Sequence, residues 1–471
     1  MEKYIKIFKN LGILTIGQFS SKILVFLLVP LYTSVLTTEE YGAYDFILTT
    51  INLLLPIITL NIAVSSQRFL LNHECDESQI VKVSFKYTFI GIAIAFLFVL
   101  ANYFLKFSDI ILDYSFGFFL LFFFMSLNIV LVDIAIGTEQ IKYVSVSGVL
   151  STFTTIVLCI LLLVVVRMGL IGYFIANIVG MASQTSYLLV KLKIIKMLKE
   201  KTGTSPNLEK EMLNFSRPQI ANNISWWINN AADRYVLIWF WGVGINGIYS
   251  VAYKIPAIIN MLGGIFAQAT GVSIIKNFDA EDKDNFFSNI YKAYNVFLVL
   301  TCSVLIILTR VIARMMYAND FYVAWKFAPF LLIASVFGAL AGYVGNTFSA
   351  TYAAKEFAMS TVIGAFVNII LNFLLVPFWG AIWAAVATLI SYCVIWILRF
   401  YHMRKFIKAD IKIARDVIAY VLLTMQGVVV NITAIATVGQ YAINMILLVI
   451  LLIIFRDDLS LVIKSIKRVK K

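Results

Sequence analysis

The chain has little charge, little histidine and few cysteines. Only 13% of its 471 residues are Asp, Glu, Lys or Arg, and 61% are hydrophobic. A soluble domain is about a quarter charged and about half apolar, so a soluble globular enzyme is excluded. The two histidines, His73 and His402, lie far apart in loops and support no His-based metal or acid–base centre. Cys75, Cys159, Cys302 and Cys393 have neither disulfide nor metal spacing. No GxxxxGK(S/T) phosphate loop occurs, and no soluble segment could house one, which excludes a built-in ATPase. No Ser/His/Asp set or paired-carboxylate arrangement appears, so the expectation is a protein that is not an enzyme and has no cofactor. The run Asp279, Glu281, Asp282, Asp284 lacks the glycine and spacing of an EF-hand loop and reads as the acidic start of a helix. The basic segment Met1–Asn10 is followed by a long span with no small-residue cleavage site, so no cleavable signal peptide is expected.

What the chain does have is apolar runs of about 20 residues or more, the length that crosses a bilayer. A β-barrel would show short alternating segments instead. The expected fold class is all-α: a polytopic helical membrane protein. Fourteen spans are expected, at about 11–36, 43–67, 79–105, 109–137, 143–166, 169–192, 212–241, 246–271, 286–314, 322–352, 356–378, 380–402, 412–436 and 439–461. An even number places both basic termini on one side, and that side is taken as the cytoplasm. Of the 38 Lys and Arg, Lys106, Arg167, Arg310, Arg314 and Lys326 then fall at external ends, and Lys22, Arg234 and Lys254 fall within spans. All the others sit at cytoplasmic ends. The net charge of +13 is thus an orientation signal, and nucleic acid is not an expected partner.

The longest loop, 193–211, divides the chain, and the second half resembles the first. Gly42-Ala-Tyr44 parallels Gly247-Ile-Tyr249, Lys142 parallels Lys355, and Gly169-Leu-Ile-Gly172 parallels Gly380-Ala-Ile-Trp383, at offsets drifting from 205 to 213. The expected organisation is an N-terminal six-helix lobe (1–200), a C-terminal six-helix lobe (201–410), and an extra helix pair with a basic tail (411–471). Both halves begin on the same side, so the repeat is parallel.

The segment from Gln219 to Arg234 is unusual within an apolar stretch. At about 100° per residue, Gln219, Asn222, Asn223, Trp226, Asn229, Asn230, Asp233 and Arg234 fall within an arc of roughly 140°. This stripe reads as one wall of a wet cavity, with Asp233 orienting Arg234. Asp233, Arg234 and Lys254 lie at similar depth, roughly 11 Å inside the external surface at 1.5 Å per residue. Lys22 is near mid-span, with Gln18 on its face, and Arg68 ends the second span. A cation at mid-bilayer costs about 2.5–3.5 kcal/mol on insertion scales. Lys22, Arg234 and Lys254 outnumber the deep acids, because Asp45 and Asp133 lie near span ends where they can reach water. A net positive lumen implies an anionic substrate group, bound by Lys22, Arg68, Arg234 and Lys254. The competing reading is an internal clamp in which Asp233 pairs with a cation and only locks helices. Pro30, Pro56, Pro256 and Pro377 lie in spans or at their ends and mark expected kinks.

Phe215-Ser-Arg-Pro218, Asn223-Ile-Ser-Trp-Trp227, Asp233-Arg-Tyr235 and Gly247-Ile-Tyr249 through Lys254-Ile-Pro256 resemble the start of the second lobe in polysaccharide flippases of the Wzx type. These belong to the multidrug/oligosaccharidyl-lipid/polysaccharide (MOP) superfamily. Leu28-Val-Pro30-Leu-Tyr32, Thr38-Glu-Glu-Tyr-Gly42 and Arg68-Phe69 are similar to the first lobe. Asn319-Asp-Phe-Tyr322 and Leu375-Val-Pro377 with Gly380 also fit, so the likeness covers essentially the whole chain. One departure is Lys22, where related flippases often carry arginine; lysine meets phosphate only as a point charge.

The resemblance implies a MOP/MATE-like fold in a bacterial cytoplasmic membrane. It implies a polyprenyl-diphosphate-linked oligosaccharide moved from the cytoplasmic to the external leaflet by alternating access, for O-antigen, capsule or related polymers. The diphosphate would meet the cations; the sugars would meet Gln219, Asn222, Asn223, Trp226, Asn229 and Asn230. Implied partners are that lipid-linked oligosaccharide, membrane lipids, a polysaccharide polymerase and a chain-length regulator. Coupling to Na⁺ or H⁺ stays open. The alternatives are a MATE-like cation-coupled exporter, which should present uncompensated acids, and a membrane glycan polymerase, which the short external loops disfavour.

Overall fold

A computed structural model describes residues 26–72, 76–200, 203, 205–276, 279–283, 285–351, 353–432 and 434–459. Among these residues the fold is all helix. In chain order the helices are α1 (Val29–Val35), α2 (Thr38–Ile58), α3 (Ile62–Asn72), α4 (Glu77–Leu105), α5 (Asp109–Asp113), α6 (Ser115–Gly137), α7 (Ile141–Cys159, continued by a π-helical turn, Ile160–Val165), α8 (Gly169–Lys191) and α9 (Ile194–Lys199). Then come α10 (Pro206–Trp241), α11 (Val243–Ala252), α12 (Pro256–Lys276), α13 (Phe286–Met316), a 3₁₀ segment (Asn319–Lys326), α14 (Ala328–Ala350), α15 (Ala354–Trp379), α16 (Ile382–Met403), α17 (Ile413–Asn431) and α18 (Thr437–Ile454).

Ten of these elements are long and apolar enough to cross a membrane, and the bent pair α11–α12 makes an eleventh. α8 and α10 have the length but are more polar. Each expected span from residue 43 onward coincides with a described helix or helix pair. Of the first, 11–36, only α1 lies within the described residues. The protein is a polytopic helical membrane protein.

Local sequence explains the punctuation. Thr37 opens α2 with a capping box: its hydroxyl accepts from Glu40 N–H at 3.1 Å, and the Glu40 carboxylate accepts from Thr37 N–H at 2.8 Å. Pro56 lies in the last turn of α2, Pro377 in that of α15, and Pro30 in the first turn of α1. Pro256 is the first residue of α12; without an N–H it cannot continue α11, and the two helices are bent by 46° across Tyr253, Lys254 and Ile255. Gly169 (φ +54°) and Gly380 (φ +86°), paired in the sequence repeat, both hold left-handed backbone at the entry to a helix, α8 and α16. The acidic run before α13 does cap a helix: Asp282 accepts from the N–H groups of Phe287 and Ser288 at 3.0 and 3.1 Å.

The chain divides into two compact units, 1–227 and 228–471. The division falls within α10 and not in the loop before it. In the first unit α6 is central, packing on α3, α4 and α8, while α7 packs on α8. In the second, α14 packs on α12, α13 and α16, while α15 packs on α16. α3, α4, α6, α7 and α8 thus make the same contacts among themselves as α12, α13, α14, α15 and α16 do. The extra pair, α17 and α18, packs together and against α13. Asp45, expected near water, is buried instead, because α2 begins two turns before it.

Candidate functional site

The polar stripe lies on α10, and its C-terminal half belongs to the second unit. Gly242 (φ +88°) turns the chain from α10 into α11. That reversal brings Tyr249 and Tyr253, one helical turn apart, against Asp233. Asp233 is 1% exposed. Its Oδ2 accepts from the hydroxyls of Tyr249 at 2.6 Å, Tyr253 at 3.0 Å and Thr388 of α16 at 3.2 Å. Its Oδ1 accepts from the Arg234 N–H at 3.0 Å. A buried carboxylate is tolerable only when its lone pairs are filled, and three neutral hydroxyls, two from α11 and its end and one from α16, do much of that here. The Arg234 guanidinium lies 5.2 Å from the centre of the Tyr253 ring, a cation–π contact. Arg234 itself is half-buried, as is Lys254, which sits in the α11–α12 break next to Tyr253.

Asn229, expected to line a sugar path, is buried between helices instead. Its amide donates to the Thr361 carbonyl at 3.2 Å and accepts from Ser391 Oγ at 2.8 Å. Ser391 also donates to the Gly364 carbonyl at 2.8 Å. α10, α15 and α16 are thus stitched through one asparagine. The reason is register: Asn229 and Asp233 are four residues apart, on the face of α10 that packs into the second unit. Asn230 is exposed, and its side-chain oxygen accepts from Tyr392 at 2.6 Å. Gln219, Asn222, Asn223 and Trp226 are half-buried, and Arg68, on α3, is exposed. Gln18 and Lys22 lie outside the described residues.

Two sets of residues escaped the sequence reading. Tyr249, Tyr253 and Thr388 carry the Asp233 site, and the tyrosines appeared only within the internal repeat and the segments that carry the family resemblance; two phenols at i, i+4 after a buried acid were the available signal. Arg399 counted as a span-end cation, yet it is fully buried. Its Nε donates to Ser360 at 3.0 Å, Nη1 to the Ala341 carbonyl at 2.9 Å and Nη2 to Thr361 at 2.9 Å, with Phe357 stacked 3.9 Å away. Among the described residues no cluster of His, Cys, Asp or Glu could hold a metal ion.

Comparison with known proteins agrees with this architecture. The family model described as polysaccharide biosynthesis protein matches residues 7–272. No curated protein sequence matches the chain. Among solved structures, the chain is similar to the lipid II flippase MurJ in an inward closed conformation. The TM-score is 0.70 at 16% identity, covering 94% of this chain and 99% of that one. It is also similar to an inward-facing multidrug resistance MATE family transporter of the MOP superfamily, with a TM-score of 0.67 at 14% identity, covering 83% and 97%. A MOP superfamily transporter from Pyrococcus furiosus, described as having a binding pocket of reverse polarity, gives 0.59 at 14% identity, covering 85% and 96%. These likenesses show a MOP-type transporter fold, and with the family match over more than half its length the chain belongs to the polysaccharide biosynthesis protein family.

Proposed function

We propose that the protein is a flippase that carries a polyprenyl-diphosphate-linked oligosaccharide from the cytoplasmic to the external leaflet by alternating access. The observation that carries this reading is the half-buried Arg234 guanidinium over the Tyr253 ring, with a second half-buried cation, Lys254, the next residue in the chain, within membrane-spanning helices of a polysaccharide-family transporter. Asp233 sits beside them, but its Oδ2 is engaged by three hydroxyls. That arrangement favours a site for an anionic head over the acid-lined site a cationic drug would require. Asn222, Asn223, Trp226 and Asn230 keep enough exposure to meet sugar hydroxyls and ring faces. Outward movement of an anionic head follows an inside-negative potential, worth about 2.3 kcal/mol per charge per 100 mV. A bacterial cytoplasmic membrane with both termini inside completes the reading.

The test is a leaflet-accessibility assay in proteoliposomes loaded with a lipid-linked oligosaccharide. A charge-assisted contact is worth about 1.5–3 kcal/mol, so Arg234→Ala and Lys254→Ala should each slow flipping by about tenfold or more. Wild-type rates in both variants would sink the anion-site reading, and uphill export of cationic dyes would replace it with a MATE-like one. Running the assay with a clamped potential, with and without Na⁺ or pH gradients, decides the coupling.

A further inference from the structure

α16 and α17 are consecutive in the chain, yet they do not pack along each other; α16 packs on α14, and α17 on α13 and α14. The space between them is a groove of about 930 Å³, at the upper end of the range of about 300–1,000 Å³ for ligand pockets. Its floor is Phe337, Trp396, Phe400 and Tyr420, all buried. Ring contacts fix that floor: Phe337 to Tyr420 at 4.9 Å, Trp396 to Tyr420 at 5.4 Å and Trp396 to Phe400 at 5.6 Å. Its polar atoms are committed to α13, Tyr420 donating to Asn295 at 2.9 Å and the Trp396 indole to Tyr291 at 3.3 Å. The Thr424 hydroxyl returns to the Tyr420 carbonyl at 2.9 Å. The groove therefore presents hydrocarbon along its length.

One end is different. Arg404 lines the groove, with its guanidinium 5.4 Å from the centre of the Phe400 ring. Lys405 lies 5.8 Å from the Tyr401 ring, which also lines the groove. Two nearby cations are paired: Lys408 with Glu281, and Arg415 with Asp416 and Asp458. Among the described residues Arg404 has no ion pair. From Leu389 to Arg404 the groove runs about 22 Å at 1.5 Å per residue, more than the roughly 15 Å of hydrocarbon in one leaflet.

We propose that this groove binds an anionic phospholipid of the bilayer, its phosphate on Arg404 with Lys405 beside it, and its acyl chains laid over Trp396 and Phe400. The guanidinium fork suits a phosphate, and basic pockets at the ends of transmembrane helices take anionic head groups. A docked helix would leave Arg404 without a counter-charge; an anionic amphiphile supplies one at the end where its head must lie. This site is independent of the transport site.

Native mass spectrometry of the full-length protein tests it, after purification from membranes and equilibration with equal amounts of phosphatidylglycerol and phosphatidylcholine. The wild type should retain phosphatidylglycerol about tenfold over phosphatidylcholine, the effect of one charge-assisted contact. Arg404→Gln should bring the ratio close to one, Arg404→Lys should restore part of it, and Val421→Trp, which fills the groove, should lower retention of both lipids. An unchanged ratio in Arg404→Gln overturns the proposal. So does a retained polyprenyl lipid in place of phospholipid, which would assign the groove to a transported tail.

Discussion

The Tyr249 hydroxyl donates to Asp233 at 2.6 Å, across the Gly242 turn that joins α10 to α11. Both residues are essentially inaccessible. The pair fixes α11 against α10 at the depth where Arg234 and Lys254 emerge. Removing one hydrogen bond to a buried charged group costs about 1.5–3 kcal/mol. Tyr249→Phe should therefore lower the apparent melting temperature in detergent. An unshifted transition, followed by size-exclusion fluorescence, would show that the carboxylate does not depend on this phenol.

Tyr253 has two roles that separate by substitution. Tyr253→Phe keeps the ring under Arg234 and loses one bond to Asp233. It should lose stability while flipping stays within about threefold, since the cation–π contact is worth about 0.5–2 kcal/mol and is retained. Tyr253→Leu removes both and should slow flipping further. Equal flipping rates for the two variants would dismiss a role for the ring.

Gly364 of α15 packs tightly against Ile395 of α16. A Cβ there would stand 2.3 Å from Ile395 Cγ1 and 3.3 Å from Asn229 Oδ1. Gly364→Ala should destabilise by about 1–3 kcal/mol through overpacking, and Ile395→Ala added to it should recover part of the loss. The check is a pair of thermal-unfolding curves, single against double; no recovery would mean that the strain lies at Asn229.

Asp410 and Lys292 make an ion pair at 2.8 Å, and the Lys292 hydrogen bond holds the Asp410 carboxyl below the ordinary carboxylate range. A carboxylate depressed on folding stabilises above its unfolded pKa, about 3.9, and that contribution disappears as pH falls through the folded value. Asp410 is largely exposed, so the coupling should be under about 1 kcal/mol. A double-mutant cycle of Lys292→Met and Asp410→Asn should show coupling at pH 7 and none well below pH 4. Coupling that persists in acid would point to packing as its source.

The spans, the repeat and the polar stripe were legible because a bilayer imposes length and apolarity on every crossing segment, and few other physical demands leave so plain a pattern. The Pro256 break and the Asp282 cap were legible for a similar reason: each follows from backbone chemistry within a few residues. The partners of Asp233 were not. Thr388 is 155 residues away in the chain, and nothing local to it marks one hydroxyl on an apolar helix as an acceptor's mate. The same holds for Arg399, whose burial depends on Ser360, Thr361 and Ala341 arriving from two other helices. Asn229 looked like its neighbours on the stripe, and only the packing of α15 and α16 against one side of α10 separates it from Asn230.

The strap between α16 and α17 is held by the turn before α13 and by the first turn of α13 itself. Lys408 N–H donates to the Ala280 carbonyl at 2.9 Å, and Asp410 N–H to Ser288 Oγ at 2.8 Å. Ser288 is itself bonded to the capping residue Asp282. A ribosome delivers this receiving turn well over a hundred residues before the strap that docks on it. The surface on which the strap and the last two helices are seated is thus already synthesised when they emerge.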